Sequence, residues 1–284
     1  MRIVHIIPGV DPQASVALTF EHKRAVESSS LAAHEFKSKD HSLAVFQVID
    51  PSWKSISIPK VKTFSTRIET ISLGPNDGIR PRLRSFLPRE LVQGFDLIIF
   101  TNSDICVTPD FYSKVLHIVE NGIEAGSIHR RTILGIDPRT PDALSLASKS
   151  LNWYQHPGSD CFFFPPESAK LLSDIPLYMG VPPVGTSAVV ALSALNPSYS
   201  TFRSLGITFH FGDDKVWKSS PALARLRNKN TLYWFLFLVH VLRTTGRVGL
   251  SRGLRTRPVG GRSKKLTSLT TFLLAIVKLL FSLK

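Results

Sequence analysis

The sequence predicts an α/β protein built on a mostly parallel sheet, and three observations carry that expectation. Strand-like and helix-like stretches alternate along the front of the chain. Residues 95–101 (FDLIIFT) form a continuous apolar run of the kind buried on both faces, and helix-start signals follow at Thr108 and Thr140. With 284 residues, 43% of them hydrophobic and 20% charged, the chain has ample material for a core, which excludes a disordered or collagen-like chain.

Taken in order, residues 2–7 read as a buried strand. Pro8, Gly9 and Asp11 follow it at once, so the amino terminus lacks the run of roughly 7 to 15 apolar residues that a secretory signal needs. Residues 14–26 read as a helix, 43–49 as a second strand and 95–101 as a third, central one. Between the last two, residues 73–89 are rich in glycine and proline and carry Arg80, Arg82, Arg84 and Arg89, so a long basic loop is expected. Thr108-Pro109-Asp110 combines a capping hydroxyl with proline at the first helical position, and Asn121-Gly122 stops that helix. Residues 124–128 read as a strand and 143–147 as a helix opened by Thr140-Pro141-Asp142. Two cysteines, Cys106 and Cys161, cannot make a disulfide framework and have no neighbouring ligands for structural zinc, so they are expected as buried free thiols.

The charge is uneven. Of 35 Lys and Arg, 15 lie after Asp214, where there is no Asp or Glu; the first 214 residues therefore hold 20 basic and 21 acidic side chains, and the net +14 belongs to the tail. The division expected from this is a body, 1–214, and a basic helical tail, 215–284. Within the tail, residues 232–242 (LYWFLFLVHVL) would span about 16 Å as a helix, against the roughly 30 Å of a bilayer core. Residues 266–283 follow eight basic residues and form an amphipathic segment, with Lys264, Ser268, Thr271, Ala275, Lys278 and Ser282 on one narrow stripe. Such a segment suits the interface of an anionic membrane, where each cation contributes about 1 kcal/mol. Nucleic acid is disfavoured as a partner, since phosphate binding gives no use to an apolar terminal helix. The expected location is cytoplasmic, peripheral on the inner face of a membrane.

Four clusters carry candidate chemistry. Thr101-Asn102-Ser103-Asp104-Ile105 lies where the central strand ends, and ligands in open α/β sheets bind beyond such ends. In extended geometry Asn102 and Asp104 would point the same way and share a ligand, a hard divalent cation on a diphosphate, although an Asx turn reads equally well there. Arg130 and Arg131 follow a strand and suit phosphate. Asp160, in a polar loop before an aromatic strand, could be a general base or a turn carboxylate. In residues 207–214 (ITFHFGDD), Thr208 and His210 share a face ahead of a glycine turn and a carboxylate pair.

These blocks resemble GT-A-type glycosyltransferases, the enzymes that use nucleotide-diphospho-sugars. The segment from Thr101 to Ile105 followed by Thr108-Pro109-Asp110-Phe111-Tyr112 resembles their acidic Asp-x-Asp region, and residues 129–133, 156–162 and 208–214 look like further blocks of the group. The resemblance spans roughly residues 1–220 and implies a Rossmann-like GT-A domain with Mn or Mg bridging the donor phosphates. It further implies Asp104 and His210 as metal ligands, Asn102 in place of the usual first acidic residue, and Asp160 as an acceptor-side base. Pro8 and Gly9 stand where such folds hold the nucleotide base. Because an amide ligates without charge, a metal-independent version supported by Arg130 and Arg131 is also implied. The function expected is transfer of a sugar from a nucleotide-diphospho-sugar to a glycan or lipid-linked acceptor at a membrane. The alternatives are a metal-dependent phosphoesterase or nucleotidyltransferase, and a non-catalytic membrane- or nucleic-acid-binding protein on the same scaffold.

Overall fold

The computed structural model describes residues 1–11, 16–73, 79–212 and 220–256. Strand β1 (Arg2–Pro8) is followed by helix α1 (Val16–Glu35), strands β2 (Ser42–Ile49) and β3 (Val61–Ser65), and a small hairpin of β4 (Thr70–Ser72) and β5 (Ile79–Pro81). After a 3-10 turn and the single-turn helix α2 (Arg89–Val92) come β6 (Leu97–Thr101), β7 (Cys106–Val107) and α3 (Phe111–Glu120). Then follow β8 (Gly126–Ile133), α4 (Ala143–Lys149), β9 (Trp153–Phe164), α5 (Pro166–Ser173), α6 (Val184–Leu195), β10 (Ser200–Phe202), β11 (Thr208–Phe211) and α7 (Pro221–Thr256).

The main sheet runs β3-β2-β1-β6-β9-β8-β11-β7, with β10 also on β8. Strands β1, β2, β3 and β6 are mutually parallel, and β8, β10 and β11 point the same way; β9 runs against both its neighbours. The α/β class and the mostly parallel, Rossmann-like sheet expected from the sequence are thus present. The order β3-β2-β1-β6 means that the chain builds outward from β1 and then returns to its other side. Such a reversal opens a crevice at the carboxyl ends of β1 and β6.

Alternation along β1 assigns the two faces. Ile3 and Ile7 join α1 and α3 in one cluster, while Val4 and Ile6 join α5, α6 and α7 in a larger one. Helix α1 continues well past residue 26, where the expected helix ended. The serines beyond that point are accommodated because the Ser28 and Ser29 hydroxyls both donate to the Ala25 carbonyl at 2.9 Å. Both cysteines are free and buried, and burial pushes their thiols up.

Two further expectations, on β9 and on β8, change. His156 to Asp160 lie inside β9, not in a loop ahead of it, and the strand tolerates this through register shifts opposite Ile128, His129 and Arg131. Residues 130 and 131 likewise lie within β8 and not after it. Helix α7, in the expected tail, packs on α6. Trp234, Phe237, Leu238, Val241 and Leu242 of α7 are buried in the larger cluster with α6, because an apolar run too short for a bilayer is long enough to cover a helix. Asp213, Asp214 and the amphipathic segment 266–283 lie outside the described residues. Among the described residues no helix is long and apolar enough to cross a membrane.

Candidate functional site

Three strand registers assemble the site. Pairing of Thr101 with Cys161 sets the end of β6 beside β9, so the Asn102 amide N–H donates to the Asp160 carbonyl at 2.9 Å. Pairing of His129 with Ser159 brings β8 against the same part of β9, and Arg130 Nη1 lies 3.2 Å from Asp160 Oδ2. Pairing of Phe209 with Cys106 carries β11 past the turn that holds Asp104, and His210 Nε2 comes to 3.2 Å from Asp104 Oδ2. Helix α1 completes the arrangement. The Val107 amide donates to Ser28 Oγ at 3.1 Å, so α1 lies along β7, and two turns earlier Glu21 Oε2 reaches 3.8 Å from His210 Nε2.

Glu21, Asp104 and His210 thus form one group whose ligand atoms lie within 4.8 Å of one another. The structure brings the two expected metal ligands together and adds Glu21, which no sequence motif marks. His210 is fully buried, and its Nδ1 donates to the Gly212 carbonyl at 3.2 Å. That bond leaves Nε2 turned toward two carboxylate oxygens, an arrangement that requires positive charge between them, either a proton on the imidazole or a cation. Two hard oxygen donors and one imidazole held by a backbone carbonyl suit Mn or Mg. Burial would raise the Asp104 carboxyl, but His210 and then Arg130 outweigh it and hold Asp104 well below the usual carboxylate range. Behind this group His22 donates from Nδ1 to the Ser103 carbonyl at 2.8 Å and meets Gln47 Nε2 at 2.6 Å, which fixes the turn. Burial lowers the His22 pKa to about 4, so this support is a neutral imidazole.

Asn102 and Asp104 turn to different protein partners. Residues 103 and 104 form a turn rather than extended chain, which swings Asp104 toward His210 while Asn102 Nδ2 donates to Asp160 Oδ1 at 2.7 Å. Asp160 is therefore held by Asn102 on one oxygen and by Arg130 on the other, with His156 Nδ1 3.7 Å away. Arg130 and Arg131 are separated too, since neighbours on a strand project to opposite faces. Arg130 is buried at the site, whereas Arg131 lies over the Trp153 ring at 5.5 Å.

Asn102, Asp104, Arg130 and Asp160 line a cavity of about 420 Å³ whose apolar lining includes Phe100, Phe162, Leu172 and Met179. That volume lies in the usual small-ligand range of about 300–1,000 Å³. The first turn of α6, at Val184, Gly185 and Thr186, forms another wall. Its leading backbone N–H groups, which have no partner within the helix, and its positive dipole end favour an anion. Gly185 permits this approach, since a Cβ there would stand 2.6 Å from the Ser159 carbonyl. Pro8 and Gly9 do not line the cavity. Gly9 is instead packed on β2, its amide donating to Val48 at 2.7 Å.

No family model and no curated protein matches the chain. Among solved structures it is similar to residues 1–349 of S. aureus TarS. The form in complex with UDP-GlcNAc overlaps at TM-score 0.45 with 12% identity, covering 93% of this chain and 75% of that one. The form in complex with UDP overlaps at TM-score 0.40 with 13% identity, covering 87% and 74%. At this level of overlap the likeness says nothing of substrate or chemistry.

Proposed function

We propose that the protein is a glycosyltransferase of hexosyltransferase type, moving a sugar from a nucleotide-diphospho-sugar to an acceptor hydroxyl. One observation carries this reading: Asp104 belongs both to the carboxylate–imidazole group and to the wall of a cavity that also holds a buried arginine. Glu21, Asp104 and His210 would hold the cation, Mn or Mg, which supplies stabilisation of the departing diphosphate. Arg130 and the first turn of α6 add positive charge from the chain itself, placed before the donor arrives. Asp160, aligned by Asn102 and Arg130, takes the proton of the acceptor hydroxyl. The acceptor is a glycan or lipid-linked precursor, and the protein works peripherally at the inner face of a membrane, in the cytoplasm. A two-metal phosphoesterase is less well supported, since one group of three ligands is found among the described residues.

The test is a thermal-shift series with nucleoside diphosphates, with and without Mn, followed by transfer assays. UDP or GDP is expected to stabilise the protein more when Mn is present. Asp104→Ala is expected to remove the Mn-dependent part and to slow transfer about a hundredfold or more. Undiminished turnover in that variant refutes the metal assignment. If a chelator changes nothing while Arg130→Ala abolishes transfer, the diphosphate is stabilised by arginine alone.

A further inference from the structure

The outer face of α7 carries an apolar stripe flanked by cations that the chemistry above leaves unused. Arg225, Lys229, Leu232, Leu236, Val239 and Arg243 follow one another at spacings of 4, 3, 4, 3 and 4. On an α-helix that spacing puts all six in one narrow strip about 27 Å long. Leu232 is 60% exposed and Leu236 58%, whereas Trp234, Phe237 and Val241 on the opposite face are buried in the core. The three basic members are exposed as well. Over its whole length α7 holds seven Lys and Arg and no Asp or Glu.

We propose that this stripe seats the protein on an anionic lipid surface. Leu232 and Leu236 enter the apolar side of the headgroup layer, and Arg225, Lys229 and Arg243 meet the lipid anions on either side. The proposal rests on the membrane placement in the reading above and not on its sugar chemistry. It also moves the contact from the terminal segment expected from the sequence to a folded helix. Charge complementarity selects the occupant. Nucleic acid would use the cations but leave two aligned leucines without a role. A second copy of the same stripe, paired about a twofold axis, would set basic flank against basic flank with no acid on the helix to offset it.

The stripe is coupled to the cavity. Asn230, buried two residues before Leu232, accepts from the Tyr178 amide at 3.1 Å and donates to the Tyr178 and Val181 carbonyls at 2.9 and 3.3 Å. Val181 lines the cavity, and the Lys229 ammonium lies over the Tyr178 ring at 5.6 Å. A helix seated on lipid would therefore present the cavity wall close to the surface, where a lipid-linked acceptor is found.

The experiment is co-sedimentation of the full chain with vesicles of phosphatidylcholine alone and of phosphatidylcholine mixed with phosphatidylglycerol. The wild type is expected to bind the mixed vesicles and to lose binding as salt rises. The pair Leu232→Ser, Leu236→Ser is expected to lower partitioning by about tenfold or more, and Arg225→Glu with Arg243→Glu to abolish it. Mixed-vesicle binding unchanged in the leucine pair overturns the proposal and assigns the contact elsewhere in the chain. So does a wild type that ignores vesicles and binds duplex DNA, or a leucine pair that changes only the oligomeric state. Nucleotide-dependent thermal shift is measured on the same leucine pair, whose side chains lie outside the cavity. A chain that shows no nucleotide response but meets the vesicle expectations loses the enzymatic reading and keeps this one.

Discussion

Asn102 occupies the position where the resemblance implies an acidic metal ligand, and its neighbours give it a different task. Its side-chain amide donates to Asp160, which in turn faces Arg130, so the contact it makes within the chain orders a carboxylate. Asn102→Asp would restore the expected acid and place two carboxylates at 2.7 Å. A loss of about 1–3 kcal/mol is expected in denaturant unfolding at neutral pH, easing as the pH is lowered toward the carboxylate range. A metal-binding role for Asn102 predicts tighter Mn binding in that variant instead. Glu21 makes the complementary case. Glu21→Gln keeps the shape and removes a charge, and Mn affinity measured by titration calorimetry is expected to fall about tenfold or more. The turn at residues 103–104 was one of the two readings the sequence allowed; that it hands Asn102 to Asp160, and that a helix docked across the sheet edge brings Glu21 to His210, was not legible there.

At the scale of elements, the pairing of α6 with the end of α7 is the least expected contact. Gly246, at φ 69° and ψ −177°, breaks α7 into two arms. The second arm lies so close to α6 that a Cβ at Gly253 would stand 2.6 Å from the Val190 carbonyl, and one at Gly249 2.9 Å from the Ala194 carbonyl. Gly253→Val is expected to push the arm off α6 and cost about 1–3 kcal/mol or more, seen as a lower midpoint in thermal unfolding. The sequence showed apolar character at residues 232–242 but not what would cover it. The same limit applies to β9, which the polar content of residues 156–160 disguised as a loop. Strands β1, β2 and β6 were legible because a doubly covered strand reads as an unbroken apolar run.

For the whole molecule, two buried histidines tie stability to pH. His5 bonds Tyr112 and Thr101 at 2.8 and 3.0 Å, and burial lowers its pKa to about 3; that of His22 is lowered to about 4. Both are neutral in the folded protein and take up protons in the unfolded chain from about pH 6.5 downward. The unfolded state then binds more protons, so stability falls as pH drops from about 6.5 toward 4, by up to roughly 3 kcal/mol for each histidine. Urea unfolding across that window checks this, and His22→Gln is expected to flatten the slope; an equal slope in the variant refutes the assignment. Charge at this scale was legible in the sequence. A body near neutrality and a chain end free of acids are matters of count, and the stripe on α7 shows where part of that excess is displayed.

The sequence by itself determined the class of the fold, and it singled out the end of the central strand and Asp104, His210, Arg130 and Asp160 as candidates. These follow from local patterns of burial, turn chemistry and residue type, which act over a few positions. Tertiary structure alone decided that Arg131 stacks on Trp153 away from the cavity, that Glu21 joins Asp104 and His210, and that α7 closes the core instead of standing apart. Those outcomes are set by strand register and helix docking between residues far apart in the chain. A shift of one residue in either would leave the local patterns intact and turn different side chains inward.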